Sequence, residues 1–120
     1  MSAPPKIQPA PAILMEAFKE ELGNRMIQFY NDVIGMLWIS LEDLIYIMKI
    51  PRLGRNRFRR KVKEYRGYLH VYIAQDSNGI VINEYGMVAI PLFFNFKGQH
   101  DAAKWITRIL IEYRKDWREQ

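Results

Sequence analysis

Cysteine is absent from this chain of 120 residues, and histidine occurs only twice. The missing thiols exclude disulfide bridges and thiolate metal sites, and His70 and His100 lie far apart without the spacing of metal ligands. We therefore expect no bound metal and no cofactor. A chain without cysteine also suits a reducing compartment, so we expect a cytoplasmic location.

Long hydrophobic runs are lacking as well. The longest apolar stretches, residues 36–40 and 87–94, are much shorter than the ~20 residues that a membrane span needs. The first residues also lack the charged and apolar regions of a secretory signal, so we expect no membrane association. A hydrophobic content of 49% can nevertheless form the core of one compact domain.

Acidic residues are nearly missing from one stretch, residues 49–66, which we call the basic segment. It holds nine of the 18 lysines and arginines and a single acid, Glu64, for a net charge of +8. The rest of the chain has nine basic and 12 acidic residues and a net charge of −3. Such an uneven distribution predicts a polyanionic partner.

The N-terminal residues divide into two parts. Four of the six prolines lie within residues 1–11, which predicts a disordered arm because proline fixes an extended backbone without an N–H donor. In residues 12–24, Ala17, Phe18 and Leu22 follow a helical spacing before Gly23. We therefore predict an amphipathic helix there. We assign residues 25–120 to the main domain.

The main domain mixes strand and helix signals. Turn residues at 31–35 and 75–79 separate apolar stretches and predict two β-hairpins. Ser40 is a predicted N-cap for a helix that reaches Met48, and Asn83 for one that ends at Ile90 because Pro91 follows. Further helices are expected over residues 55–64 and 101–117. The resulting fold class is α+β, a small domain with two hairpins and about four helices.

Three short motifs lie in a recognisable order. Trp38-Ile39 is followed by Asp43-Leu44, residues 82–87 read INEYGM, and Trp105-Ile106 lie in the last predicted helix. Over residues 25–118 this arrangement resembles the BRO-N domain, the N-terminal domain of baculovirus repeated-open-reading-frame proteins and of phage and prophage antirepressors. Ala102 departs from the aromatic residue usual before the last motif. We expect a stand-alone domain of this type.

The resemblance implies a compact α+β fold, with DNA binding in some relatives and transcriptional or repressor-directed regulation in phages. The basic segment supplies the residues for such binding, since arginine forks hold phosphates or guanine and asparagine pairs with adenine. The candidate nucleic-acid-binding residues are Arg52, Arg55, Asn56, Arg57, Arg59, Arg60, Lys61, Lys63 and Arg66.

We expect a DNA-binding regulatory protein of phage or prophage type, and two alternatives stay open. The same charge suits an antirepressor or inhibitor that binds a host or phage protein, and it also suits a solvated helix face without a partner. No nucleophile with an adjacent base is visible, so we expect no enzyme. We interpret Asp43 and Glu84 as helix N-terminal charges and not as an acid–base pair. The helix predicted over residues 12–24 and Trp117 suggest a homodimer.

Overall fold

The computed structural model describes residues 8–9, 14–64, 71–73, 79–94 and 97–119. The strands are β1 (Gln8–Pro9), β2 (Met15–Leu22), β3 (Arg25–Asn31), β4 (Leu37–Ser40), β5 (Val71–Ile73) and β6 (Ile80–Asn83). The α-helices are α1 (Leu41–Ile47), α2 (Arg55–Glu64), α3 (Glu84–Phe93) and α4 (Gln99–Glu119), and a short 3₁₀ helix covers Arg52–Gly54. These elements confirm the predicted α+β class.

The strands form one sheet in the order β1-β5-β6-β4-β3-β2. Within the described part of the chain, the β1–β5 pairing is parallel and the other pairings are antiparallel. The β3–β4 hairpin is confirmed, and β5 and β6 pair antiparallel as predicted, while residues 75–78 of the second predicted turn lie outside the described residues. Gln8 and Pro9 of the N-terminal arm form a short strand that pairs with β5. Residues 1–7 and 10–11 of the arm lie outside the described residues.

The helix predicted over residues 12–24 is wrong, because Met15–Leu22 is the edge strand β2. Leu22 pairs with Arg25, so Gly23 and Asn24 form the two-residue turn of a hairpin. Gly23 has a φ of +60°, which a hairpin turn of this length requires and which a helix stop also favours. The same turn residues therefore fit both structures, and pairing with β3 selects the strand.

Packing against β3 explains why residues 15–22 form a strand although their apolar residues have a helical spacing. A β-bulge between Glu16 and Phe18 shifts the register, after which inward and outward residues alternate. The Phe18 ring then stacks on Phe29 with centroids 4.8 Å apart, and the Gln28 side chain donates to the Phe18 carbonyl. Tertiary contacts of this kind override a weak local helix preference.

A buried aspartate organises the turn between β3 and β4. Asp32 Oδ1 accepts hydrogen bonds from the backbone N–H groups of Ile34 and Met36 at 3.1 and 3.0 Å. Its Oδ2 accepts from the Trp38 indole N–H at 3.0 Å. Trp38, the first residue of the three motifs, therefore donates a hydrogen bond to a turn residue of its own hairpin.

Both predicted N-caps are confirmed. Ser40 Oγ accepts from the backbone N–H of Asp43, and Asn83 Oδ1 accepts from that of Gly86. The predicted end of the second helix is wrong, because α3 continues through Pro91 to Phe93. The missing N–H of Pro91 removes one intrahelical hydrogen bond, and the helix ends two residues after it.

The core lies between the sheet and the helices. Ile27, Phe29 and Ile82 of the sheet are fully buried together with Leu44 of α1 and Ile106 of α4. Ala102, Ile106 and Ile109 lie on one face of α4 and pack into this core. Among the described residues, no helix has the length and apolar character to cross a bilayer.

The homodimer stays a prediction with weaker support. One of its two grounds, an N-terminal amphipathic helix, is replaced by strand β2. The other, the Trp117 side chain, lies outside the described side chains.

Candidate nucleic-acid interface

The basic helix is anchored by a narrow apolar stripe. Helix α2 spans Arg55–Glu64, the bounds predicted from the sequence, and buries only Phe58 and Val62. The Phe58 ring packs edge-on against Phe94 with centroids 5.2 Å apart. Because residues four apart share one helix face, the remaining positions of α2 stand on two flanks and at the outer surface.

One flank of α2 faces helix α1 and is neutralised there. Arg59 donates from Nε and Nη2 to the two carboxylate oxygens of Glu42 at 2.8 and 2.6 Å. Its Nη1 donates to Asn56 Oδ1 at 2.7 Å. The bidentate pair with Glu42 and the bond to Asn56 together commit all three guanidinium nitrogens of Arg59, so its charge is directed to α1 and not to a partner.

Two further cations on this side also have internal partners. Arg55 donates from Nε to the Ile50 carbonyl at 3.1 Å, which ties the start of α2 to the loop before it. Lys63 is exposed and takes part in an interaction within the protein. The Asn56 amide oxygen accepts from Arg59, and it would have to give up this bond before the amide oxygen and nitrogen could both pair with adenine.

The opposite flank of α2 is open to solvent. Arg57, Arg60, Lys61 and Glu64 follow one another at helical spacing and surround a shallow depression of about 200 Å³. All four are exposed, and none of the three cationic side chains has a hydrogen bond or ion pair among the described residues. We call Arg57, Arg60 and Lys61 the outer cationic face. It is the part of the basic segment that the fold presents to a partner.

Two of the candidate residues are not part of α2. Arg52 is exposed on the 3₁₀ helix that precedes α2. Arg66 lies outside the described residues.

Glu42 and Arg59 shift each other's ionisation. The pKa of the Glu42 carboxyl lies below its ordinary value of 4.5, chiefly because Arg59 donates hydrogen bonds to it, while partial burial acts in the opposite direction. The same hydrogen bond raises the pKa of Arg59. A depressed carboxyl pKa contributes stability that is present above pH 4.5 and is lost as the pH falls through the lower value of the folded state.

A Glu42→Gln variant tests this pair. At neutral pH we expect its free energy of unfolding to fall by less than about 1 kcal/mol, because the pair is largely exposed. In acid, well below pH 4.5, wild type and variant should be equally stable, since the carboxyl is then protonated. Urea unfolding at both pH values measures the difference. A stability gap that persists in acid would contradict this account.

Asp43 and Glu84 each have an arginine partner. Asp43 Oδ1 lies 2.7 Å from Arg25 Nη2, and Glu84 accepts hydrogen bonds from Arg114 and from the Leu37 backbone N–H. The two carboxylates therefore hold separate ion pairs at two helix N-termini. Among the described residues, no three His, Asp or Glu side chains come together to form a metal site.

Two features of this region were not predicted from the sequence. The Arg59–Glu42 pair joins residues that are 17 positions apart, and no spacing rule connects the first turn of α1 with the middle of α2. Lys49 belongs to the basic segment but was not a candidate contact. Its backbone lies in the left-handed region with a φ of +55°, a conformation that charge patterning does not reveal.

The fold and site define a small α+β domain that presents a cationic helix at its surface. No family model, curated protein or solved structure matches this chain. The resemblance to the BRO-N domain thus depends on its three motifs alone and stays a prediction.

Proposed function

We propose that the protein binds nucleic acid, and DNA in the first place, through helix α2. The observation that supports this proposal is the outer cationic face, where Arg57, Arg60 and Lys61 are exposed beside a single acid, Glu64, and form no ion pair among the described residues. On the other flank, Glu42 neutralises Arg59. A fold that pairs one arginine and leaves three neighbouring cations open is well suited to an external polyanion.

Phosphate groups are the expected contacts of this face. Cations that approach a nucleic-acid backbone release condensed counter-ions, which yields affinity with little dependence on sequence. The planar guanidinium groups of Arg57 and Arg60 can each bind two phosphate oxygens. Together with Arg52, the exposed cations amount to about four phosphate contacts along α2 and the turn before it.

A salt series tests the proposal. With about four phosphate contacts, the logarithm of the affinity should fall against the logarithm of the salt concentration with a slope of about −3 to −4 for duplex DNA. Fluorescence anisotropy with labelled random duplexes, between about 50 and 200 mM salt, measures this slope. Binding that is absent at the lowest salt would refute the proposal.

The biological role in a phage or prophage regulator follows from the family resemblance, and we propose it on that basis. The alternative role, an antirepressor or inhibitor that binds an acidic surface of a host or phage protein, would use the same outer cationic face. A pull-down with and without nuclease separates the two. A protein partner that survives nuclease, together with no affinity for DNA, would favour the alternative.

A further inference from the structure

A pocket adjoins the start of the cationic helix. It has a volume of about 450 Å³ and lies where the β2–β3 turn, the end of α1 and the beginning of α2 meet. Its apolar wall is formed by Leu22, Ile45, Ile50 and Pro51. This volume lies within the range of small-ligand sites, about 300–1,000 Å³.

The rest of the described lining consists of Gly23, Tyr46 and two cations, and it includes no acid. Lys49 lies at the end of α1, and Arg55 is the first residue of α2. The bond from Arg55 Nε to the Ile50 carbonyl fixes the guanidinium at the pocket wall. An apolar wall combined with two positive charges is complementary to an organic anion with an apolar or aromatic body.

Lys49 occupies an unfavourable backbone conformation to reach this position. The N–H groups of Lys49 and Ile50 donate to the carbonyls of Tyr46 and Ile45 at 3.0 and 3.2 Å, which is the Schellman pattern of a helix C-terminus. In this motif the left-handed residue is usually glycine, whereas here it is lysine with a φ of +55°. Strained residues of this kind concentrate at binding sites.

We propose that the pocket binds an unpaired nucleotide, with the base against the apolar wall and the phosphate held by Lys49 and Arg55. This inference depends on the proposed function, because the pocket shares Arg55 with α2 and the nucleotide belongs to the nucleic acid bound there. Bases in a duplex are stacked and paired, so a pocket for a single base favours unpaired strands. A free mononucleotide also has a base and a phosphate and could bind in the same way, so it is one of the probes.

Four probes distinguish the sources of the ligand: a single-stranded 12-mer, the same strand with abasic sites, its duplex, and deoxyadenosine 5′-monophosphate. We expect the intact single strand to bind about tenfold more tightly than the abasic strand, because only the intact strand brings a base to the apolar wall. It should also bind more tightly than the duplex. Saturable binding of the mononucleotide would identify the pocket as a free-nucleotide site. Equal affinities for the intact and abasic strands would overturn the inference.

We expect the Lys49→Gly substitution to change stability and binding in opposite directions. Glycine accepts the left-handed conformation, so we expect the melting temperature to rise by about 3 °C. Loss of the ammonium group should weaken binding of the intact single strand about tenfold. Lys104→Ala, which removes an exposed lysine from α4, is the charge control and should change neither the melting temperature nor the affinity substantially.

The outcomes separate this inference from the proposed function. A Lys49→Gly variant that is more stable but binds the single strand as wild type does would overturn the pocket and leave α2 as the nucleic-acid site. If wild type binds none of the four probes, the pocket and the proposed function both fail.

Discussion

Replacing Arg57, Arg60 and Lys61 together with alanine is expected to weaken duplex DNA binding about a hundredfold near 0.1 M salt. Each cation that contacts a phosphate contributes about 0.9 to the salt slope, so removal of all three should reduce its magnitude by about 2.7. The fold should persist, because all three side chains are exposed and alanine favours the helix. Anisotropy titrations over a salt series measure both effects, and circular dichroism verifies the helix content.

Two control variants make this result specific. Replacing Lys19, Lys104 and Lys115 with alanine removes the same charge from exposed positions on β2 and α4. If α2 is the interface, this variant keeps most of the affinity and the salt slope. Arg59→Ala removes a cation that Glu42 already neutralises, so its effect on the slope should be smaller than that of Arg60→Ala. Equal losses in the triple variant and its charge-matched control would indicate unspecific attraction.

Replacing Glu84 with alanine is expected to lower the free energy of unfolding by about 3 kcal/mol. The Glu84 carboxylate accepts from the backbone N–H of Leu37 at 2.8 Å and pairs with Arg114, which also donates to the Gly35 carbonyl. Leu37 is fully buried, so its N–H would lose its acceptor without gaining water. The side chain of Glu84 thereby connects α3, α4 and the β3–β4 hairpin.

The Glu112→Ala variant is the matched control for Glu84. Glu112 also pairs with an arginine, Arg108, one helical turn away, but more than half of each side chain is exposed. Exposed pairs of this spacing contribute about 0.3–0.5 kcal/mol. Urea unfolding of both variants should therefore give clearly different losses. Similar small losses would show that Glu84 acts only as a charge at the helix N-terminus, which is the interpretation that the sequence suggests.

Local signals account for the elements that were predicted correctly. The Ser40 and Asn83 caps bond to backbone groups only three residues away, so their function depends on neighbouring sequence alone. The apolar stripe of Phe58 and Val62 likewise marks α2 within a few residues. The helix predicted over residues 12–24 was wrong because its structure depends on distant contacts and not on neighbouring sequence. Their spacing fits a helix, yet Phe18 stacks on Phe29 of the neighbouring strand, a contact that no local pattern indicates.

The sequence by itself determined where the positive charge is concentrated, since nine of the 18 cations lie within 18 residues, and it predicts an anionic partner for that segment. Only the tertiary structure decided which of those cations are available. It placed Glu42 of α1 against Arg59 and left Arg57, Arg60 and Lys61 exposed. It also brought Lys49 and Arg55 to one pocket. Hydrogen bonds act over about 3 Å, and residues distant in sequence reach that separation only when the chain packs.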